Sequence, residues 1–141
     1  MLGVFAGATT MDFWQAIKSG FSNYVTFRGR AIRSEYWYWF LFSLLGCIAT
    51  EMLDAAIFST DVPSASPLNG IFNLLLFLPS FAICIRRLHD IDRSGWWFLI
   101  AFTIIGLFVL FYWACKRGTS GPNRFGPDPF DTINLSPRPT A

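Results

Sequence analysis

The sequence predicts an all-α membrane protein, with about three transmembrane helices behind an N-terminal amphipathic helix that lies in the membrane interface. Three observations predict it. Of 141 residues, 53% are hydrophobic, 18% aromatic and only 14% charged, which is too apolar for a soluble domain of this size. The cations form islands, with no Lys or Arg between Arg33 and Arg86 or between Arg93 and Lys116, as a bilayer sorts charge. Aromatic clusters flank the apolar runs, where headgroup depth favours them.

Each element follows in order. The opening "MLGVFAGATT" lacks a basic n-region and a full apolar core, so residues 1–10 are expected to be an N-terminal extension with Met11 as the natural start. Trp14, Ile17, Phe21 and Tyr24 fall on one helical face behind a capping Asp12, which predicts the amphipathic helix, although Gly20 weakens it. Ser34 and Glu35 then signal a helix start before the aromatic cluster of residues 36–40. The first span is expected over residues 36–58, about 35 Å as a helix and long enough to cross.

The loop "STDVPSASP" carries two prolines and no cation, which places it on the side opposite the arginines. The second span is expected over residues 68–85, about 27 Å, with Pro79 removing a backbone donor and Arg86 and Arg87 stopping the helix. The third is expected over residues 96–115, opened by Trp96 and Trp97 and closed by Tyr112 and Trp113. Three full spans leave Lys116 to Arg138 on the far side from the other arginines; a third segment re-entering near Gly106 would put all eleven cations on one side. A full span is preferred, because a hairpin would leave unsatisfied backbone in lipid unless other helices cover it. The membrane domain thus covers residues 11–130, and residues 131–141, rich in Pro and polar residues, form a disordered tail.

Arg28, Arg30 and Arg33 precede the first span, and Arg86, Arg87 and Arg93 follow the second, so a hairpin brings all six to one surface. They are the candidate sites for anionic lipid headgroups, since a guanidinium fork suits bidentate phosphate contacts. Glu35, His89, Asp90 and Asp92 are expected to support that collar, the three carboxylates by pairing with its arginines. His89 is the only histidine and Cys47, Cys84 and Cys115 are isolated, so no metal, cofactor or catalytic residue is assigned. Glu51 and Asp54, at i and i+3 on the first span, with Asn73 of the second, are intramembrane polar candidates. Either they sit near the cation-free interface, where neutralising them preserves or raises stability, or they form a proton or cation relay. Basic residues interleaved with aromatics are explained by the interface belt, so nucleic acid is not expected as a partner.

The motifs "FRGRAIRSEYW", "RRLHDIDRSGWW" and "GTSGPNRFGPDP", each beside an apolar run and in this order, make the chain resemble bacterial inner-membrane proteins of domain-of-unknown-function family 805. The resemblance covers residues 12–129. It implies a small multi-pass protein of the cytoplasmic membrane and supplies no catalyst. A glycine is common in that family where this chain has Asp92. The function expected is structural or adaptor work, with membrane lipids and either a second copy or another membrane protein as partners. Transport through Glu51, Asp54 and Asn73, or an enzyme acting on lipid-linked phosphate through the arginines and His89, are the alternatives.

Overall fold

The computed structural model describes residues 11–58 and 66–131. The expected N-terminal extension, most of the loop after the first span and the tail beyond residue 131 lie outside the described residues. Among the described residues the order is α1 (Phe13–Ser22), α2 (Arg33–Phe58), α3 (Pro67–Asp90), a 3₁₀ helix (Gly95–Phe102) and α4 (Ile104–Cys115). The all-α membrane class stands: α2 and α3 are long and apolar enough to cross, and α4 is a shorter apolar helix.

α2 and α3 form an antiparallel hairpin. Their 26 and 24 residues give lengths of about 39 and 36 Å, against a hydrocarbon core of about 30 Å. Trp39 is buried between them and donates from Nε1 to Ser80 Oγ at 3.0 Å. It was expected in the headgroup belt with Tyr36, Trp37, Tyr38 and Phe40; instead it packs with Ala31, Leu76 and Ile83 as the centre of the core. Its ring closes on Gly20 of α1, where an added Cβ would come within 2.1 Å of it. The glycine that weakens α1 as an isolated helix is therefore what lets α1 approach α2. The buried face of α1 is Ala16, Ile17 and Gly20, whereas Trp14 and Phe21 of the predicted face are exposed.

α3 runs five residues past its expected end at Ile85. Arg86 and Arg87 do not stop it, because both are buried and paired rather than drawn out to the interface. The helix also continues through Pro79. Proline has no N–H, so the carbonyl of Leu75, four residues earlier, loses its helical donor. The Tyr24 hydroxyl, in the turn after α1, donates to that carbonyl.

The third apolar run does not cross as one helix. The 3₁₀ helix ends at Thr103, whose extended backbone turns the chain into α4. Both ends of the run then meet at the arginine end of the hairpin. Trp97 and Trp113 contact edge to face at 5.5 Å, with the Arg93 guanidinium 5.6 and 5.2 Å from the two rings. Eight 3₁₀ residues and twelve α residues give arms of about 16 and 18 Å, roughly half the hydrocarbon core. The single helix expected over residues 96–115 is thus two short helices joined at Thr103. The expected obstacle, unsatisfied backbone at the tip, is met by Thr103. Its N–H and hydroxyl donate to Ile100 O at 2.9 and 2.8 Å, its Oγ1 accepts from Gly106 N at 3.0 Å, and its carbonyl accepts from Leu107 N at 3.1 Å. Gly106 has no side chain because a Cβ there would lie 1.7 Å from the Ile100 carbonyl oxygen.

Candidate functional site

All three sequence motifs converge on one end of the α2–α3 hairpin, where they form a buried layer of arginines and carboxylates. Asp90, the last residue of α3, is its hub. Arg30 Nε donates to Asp90 Oδ1 at 3.0 Å, and Arg87 Nη1 donates to Oδ2. The Asp90 carbonyl accepts from both Thr119 N and Thr119 Oγ1, at 2.8 and 3.1 Å. A Cβ on Gly118 would sit 2.2 Å from the same carboxylate, so only glycine lets the chain pass there.

The rest of the layer ties distant segments to this hub. Arg30 Nη1 donates to Gly121 O at 2.7 Å, and its Nη2 to Thr119 O. Arg87 donates to the carbonyls of Trp113, Ala114 and Lys116, which would otherwise be unpaired at the C-terminus of α4. A cation there also faces the negative end of the helix dipole. Arg86 Nη1 pairs with Glu35 Oε1 at 3.0 Å, and Ser19 Oγ of α1 donates to that oxygen at 2.8 Å. The Arg86 carbonyl accepts from Ala31 N at 3.0 Å.

Of the six expected headgroup ligands, the structure therefore separates two sets. Arg30, Arg86 and Arg87 are 8%, 4% and 2% exposed, so they cannot share an outward-facing collar. Arg28, Arg33 and Arg93 are exposed at the same end. Glu35 and Asp90 pair the buried arginines. Asp92 is exposed, pairs with Arg124 at 3.1 Å, and has φ of +58°. That left-handed backbone is one that glycine adopts without strain.

His89 is held on three sides: Nδ1 is 3.2 Å from the Gly29 carbonyl, the ring stacks on Phe125 at 3.9 Å, and its own carbonyl accepts from Asn123 Nδ2 at 2.9 Å. Among the described residues, no three His, Cys, Asp or Glu side chains gather as metal ligands would.

The intramembrane candidates lie at the opposite end. Asp54 is buried and accepts Leu68 N and Asn69 N at 3.0 and 2.8 Å, capping the first turn of α3 from the neighbouring helix. Glu51 accepts from Asn69 Nδ2 at 2.6 Å and Ser66 Oγ at 3.1 Å. Asn73 Nδ2 donates to Asn69 Oδ1 at 2.6 Å, so one polar cluster closes this end of the hairpin. Thr119, Gly121, Asn123 and Phe125 were not singled out from sequence. The only signal was their motif of turn residues, and turn residues do not announce which buried charge their carbonyls will meet.

The family model described as "Protein of unknown function (DUF805)" matches residues 24–127, the stretch that holds the first two motifs, most of the third, and every buried arginine and carboxylate of the layer. The chain belongs to the DUF805 family. Among the relatives it resembles, Inner membrane protein YhaH of Escherichia coli K12 is 44% identical over 110 residues, covering 76% of this chain and 89% of that protein. Inner membrane protein YhaI of the same strain is 46% identical over 110 residues, covering 76% and 88%. No solved structure matches. This DUF805 chain is a multi-pass protein of the bacterial inner membrane, and its matched region runs from Tyr24, the donor to Leu75, to the turn that closes on Asp90.

Proposed function

We propose that the protein is a structural or adaptor component of the inner membrane, with its arginine end at the cytoplasmic surface and its exposed cations there holding anionic lipid headgroups. The observation that supports this is the division of labour among cations. Arg30, Arg86 and Arg87 are buried inside the fold, whereas Arg28, Arg33, Arg93, Lys116 and Arg117 stay exposed around them. No Lys or Arg lies between Arg33 and Arg86, so the far end of the hairpin carries the acids and none of the cations, which is the positive-inside pattern. Arg93 rests on Trp97 and Trp113, a cation–π arrangement suited to headgroup depth. At about 1 kcal/mol per cation near an anionic leaflet, the five supply at most roughly 5 kcal/mol.

The acids draw the transport reading's support away. Asp54 and Glu51 are bonded to the start of α3 and need no translocated ion to explain them. His89, stacked and bonded, is likewise accounted for without lipid-phosphate chemistry. A second copy or another inner-membrane protein is the partner an adaptor calls for, and cross-linking in membranes identifies it.

The test is reconstitution in nanodiscs containing phosphatidylglycerol and phosphatidylcholine, with lipid enrichment around the protein measured at low and high salt. The expected result is phosphatidylglycerol enrichment that falls with salt and in Arg33→Ala/Lys116→Ala/Arg117→Ala. Equal enrichment of both lipids by the wild type contradicts the reading.

A further inference from the structure

A cleft of about 340 Å³, with a largely apolar exposed lining, lies beside the layer, between α1, the segment before α2 and the C-terminal turn; Ser19, Asn23, Arg28, Glu35 and Arg86 are among its polar residues. Arg86 is the unusual member. Its side chain is 5% exposed, its Nη1 is paired with Glu35, and its Nε and Nη2 have no hydrogen-bond partner among the described residues. Each buried donor left unmade beside a charge is a substantial penalty, larger than the gain from one ordinary hydrogen bond. Both nitrogens are buried, so a partner reaches them only from the cleft that Arg86 lines, by displacing the wall beside it.

The two empty positions are not random. Nε and Nη2 form one straight edge of the guanidinium, the edge that binds two oxygens of a carboxylate or phosphate side by side. Glu35 occupies the other edge through Nη1. Arg28 stands exposed at the rim, and the cleft lies at the arginine end, where lipid phosphates are found. The lining arginines outnumber the one carboxylate, Glu35, three to one, counting Arg28, Arg30 and Arg86.

We propose that this cleft is a discrete phosphate site, with Arg86 as its buried anchor and Arg28 as its outer ligand, filled by one phosphate group per chain. The proposal rests on the reading of the arginine end as a lipid-facing surface but differs from it in kind. The exposed cations hold a diffuse, salt-sensitive lipid population, whereas the cleft holds one phosphate in fixed geometry. The shared chemistry is a phosphate monoester or diester, carried either by a lipid headgroup or by a free anion.

The experiment is native mass spectrometry of the full chain released from nanodiscs of phosphatidylcholine doped with phosphatidic acid. A second arm offers inorganic phosphate to the protein in phosphatidylcholine alone. The wild type is expected to keep one phosphatidic acid per chain. Arg86→Lys keeps the charge and the Glu35 pair but lacks the free edge, so retention should fall about tenfold or more while circular dichroism shows an unchanged fold. Arg28→Ala, an exposed change, should weaken retention several-fold. Displacement of the lipid by inorganic phosphate assigns the site to the phosphate group itself, and its failure assigns it to the lipid. Unaltered retention in a folded Arg86→Lys overturns the site, as does a wild type that keeps neither phosphatidic acid nor phosphate. Should Arg33→Ala/Lys116→Ala/Arg117→Ala leave lipid enrichment unchanged, the diffuse collar fails instead, with the single retained lipid untouched.

Discussion

Tyr24→Phe removes one oxygen and tests how α3 tolerates Pro79. The proline leaves the Leu75 carbonyl without its helical donor, and Tyr24 supplies one from outside the helix. In lipid no water is at hand to replace it, so the variant should lose about 1–2 kcal/mol: the bond itself plus the desolvated carbonyl. Pro79→Ala restores an N–H at position 79, which then reaches Leu75 within the helix. In that background Tyr24→Phe should cost little, leaving a coupling of at least about 0.5–1 kcal/mol. The assay is a double-mutant cycle of unfolding free energies, followed by circular dichroism in mixed micelles. Equal costs of Tyr24→Phe in both backgrounds would refute the reasoning, because the hydroxyl would then not be standing in for the missing donor.

Other substitutions probe the remaining joints. Arg87→Met strips three carbonyls at the end of α4 of their donor and leaves Asp90 with one arginine; a loss of about 3–5 kcal/mol is expected, with faster proteolysis within residues 116–131. Gly106→Ala forces a Cβ against the Ile100 carbonyl at the hairpin tip and should destabilise by at least about 1–3 kcal/mol, measured by thermal unfolding. Asp54→Asn should cost about 1 kcal/mol while inserting normally, since it weakens the cap on α3, and a gain in stability would speak against the capping role. His89→Ala removes a ring stacked on Phe125 and should lower stability by about 1–3 kcal/mol in the same assay.

The long elements were legible in the sequence because composition alone dictates them. The first span was expected at residues 36–58 and is observed as Arg33–Phe58; a cation-free apolar run of that length has one stable form in a bilayer. What the sequence concealed was pairing. Arg86 and Arg87 look like a stop signal when read as isolated cations, yet Glu35 and Asp90 neutralise them and the helix continues. Nothing in linear order links position 35 to 86 or 30 to 90. The neighbours of Trp39 point to the interface, while its true partner is Gly20, a residue whose significance lies in what it lacks. The third run misled for a related reason. Twenty apolar residues match a full span in length, and only the Thr103 cap, a local hydrogen-bond pattern, shows how the backbone can turn at half depth.

A third run that enters and leaves at the same face, held there by Arg87, is what lets the C-terminal motif close on Asp90. The most direct test fuses green fluorescent protein or alkaline phosphatase to the end of the full chain, beside matched fusions at a loop position between α2 and α3. A fluorescent C-terminal fusion with inactive phosphatase is expected, and the reverse at the α2–α3 loop. Active phosphatase at the C-terminus would contradict it, since the chain would then have crossed a third time and the layer around Asp90 could not form.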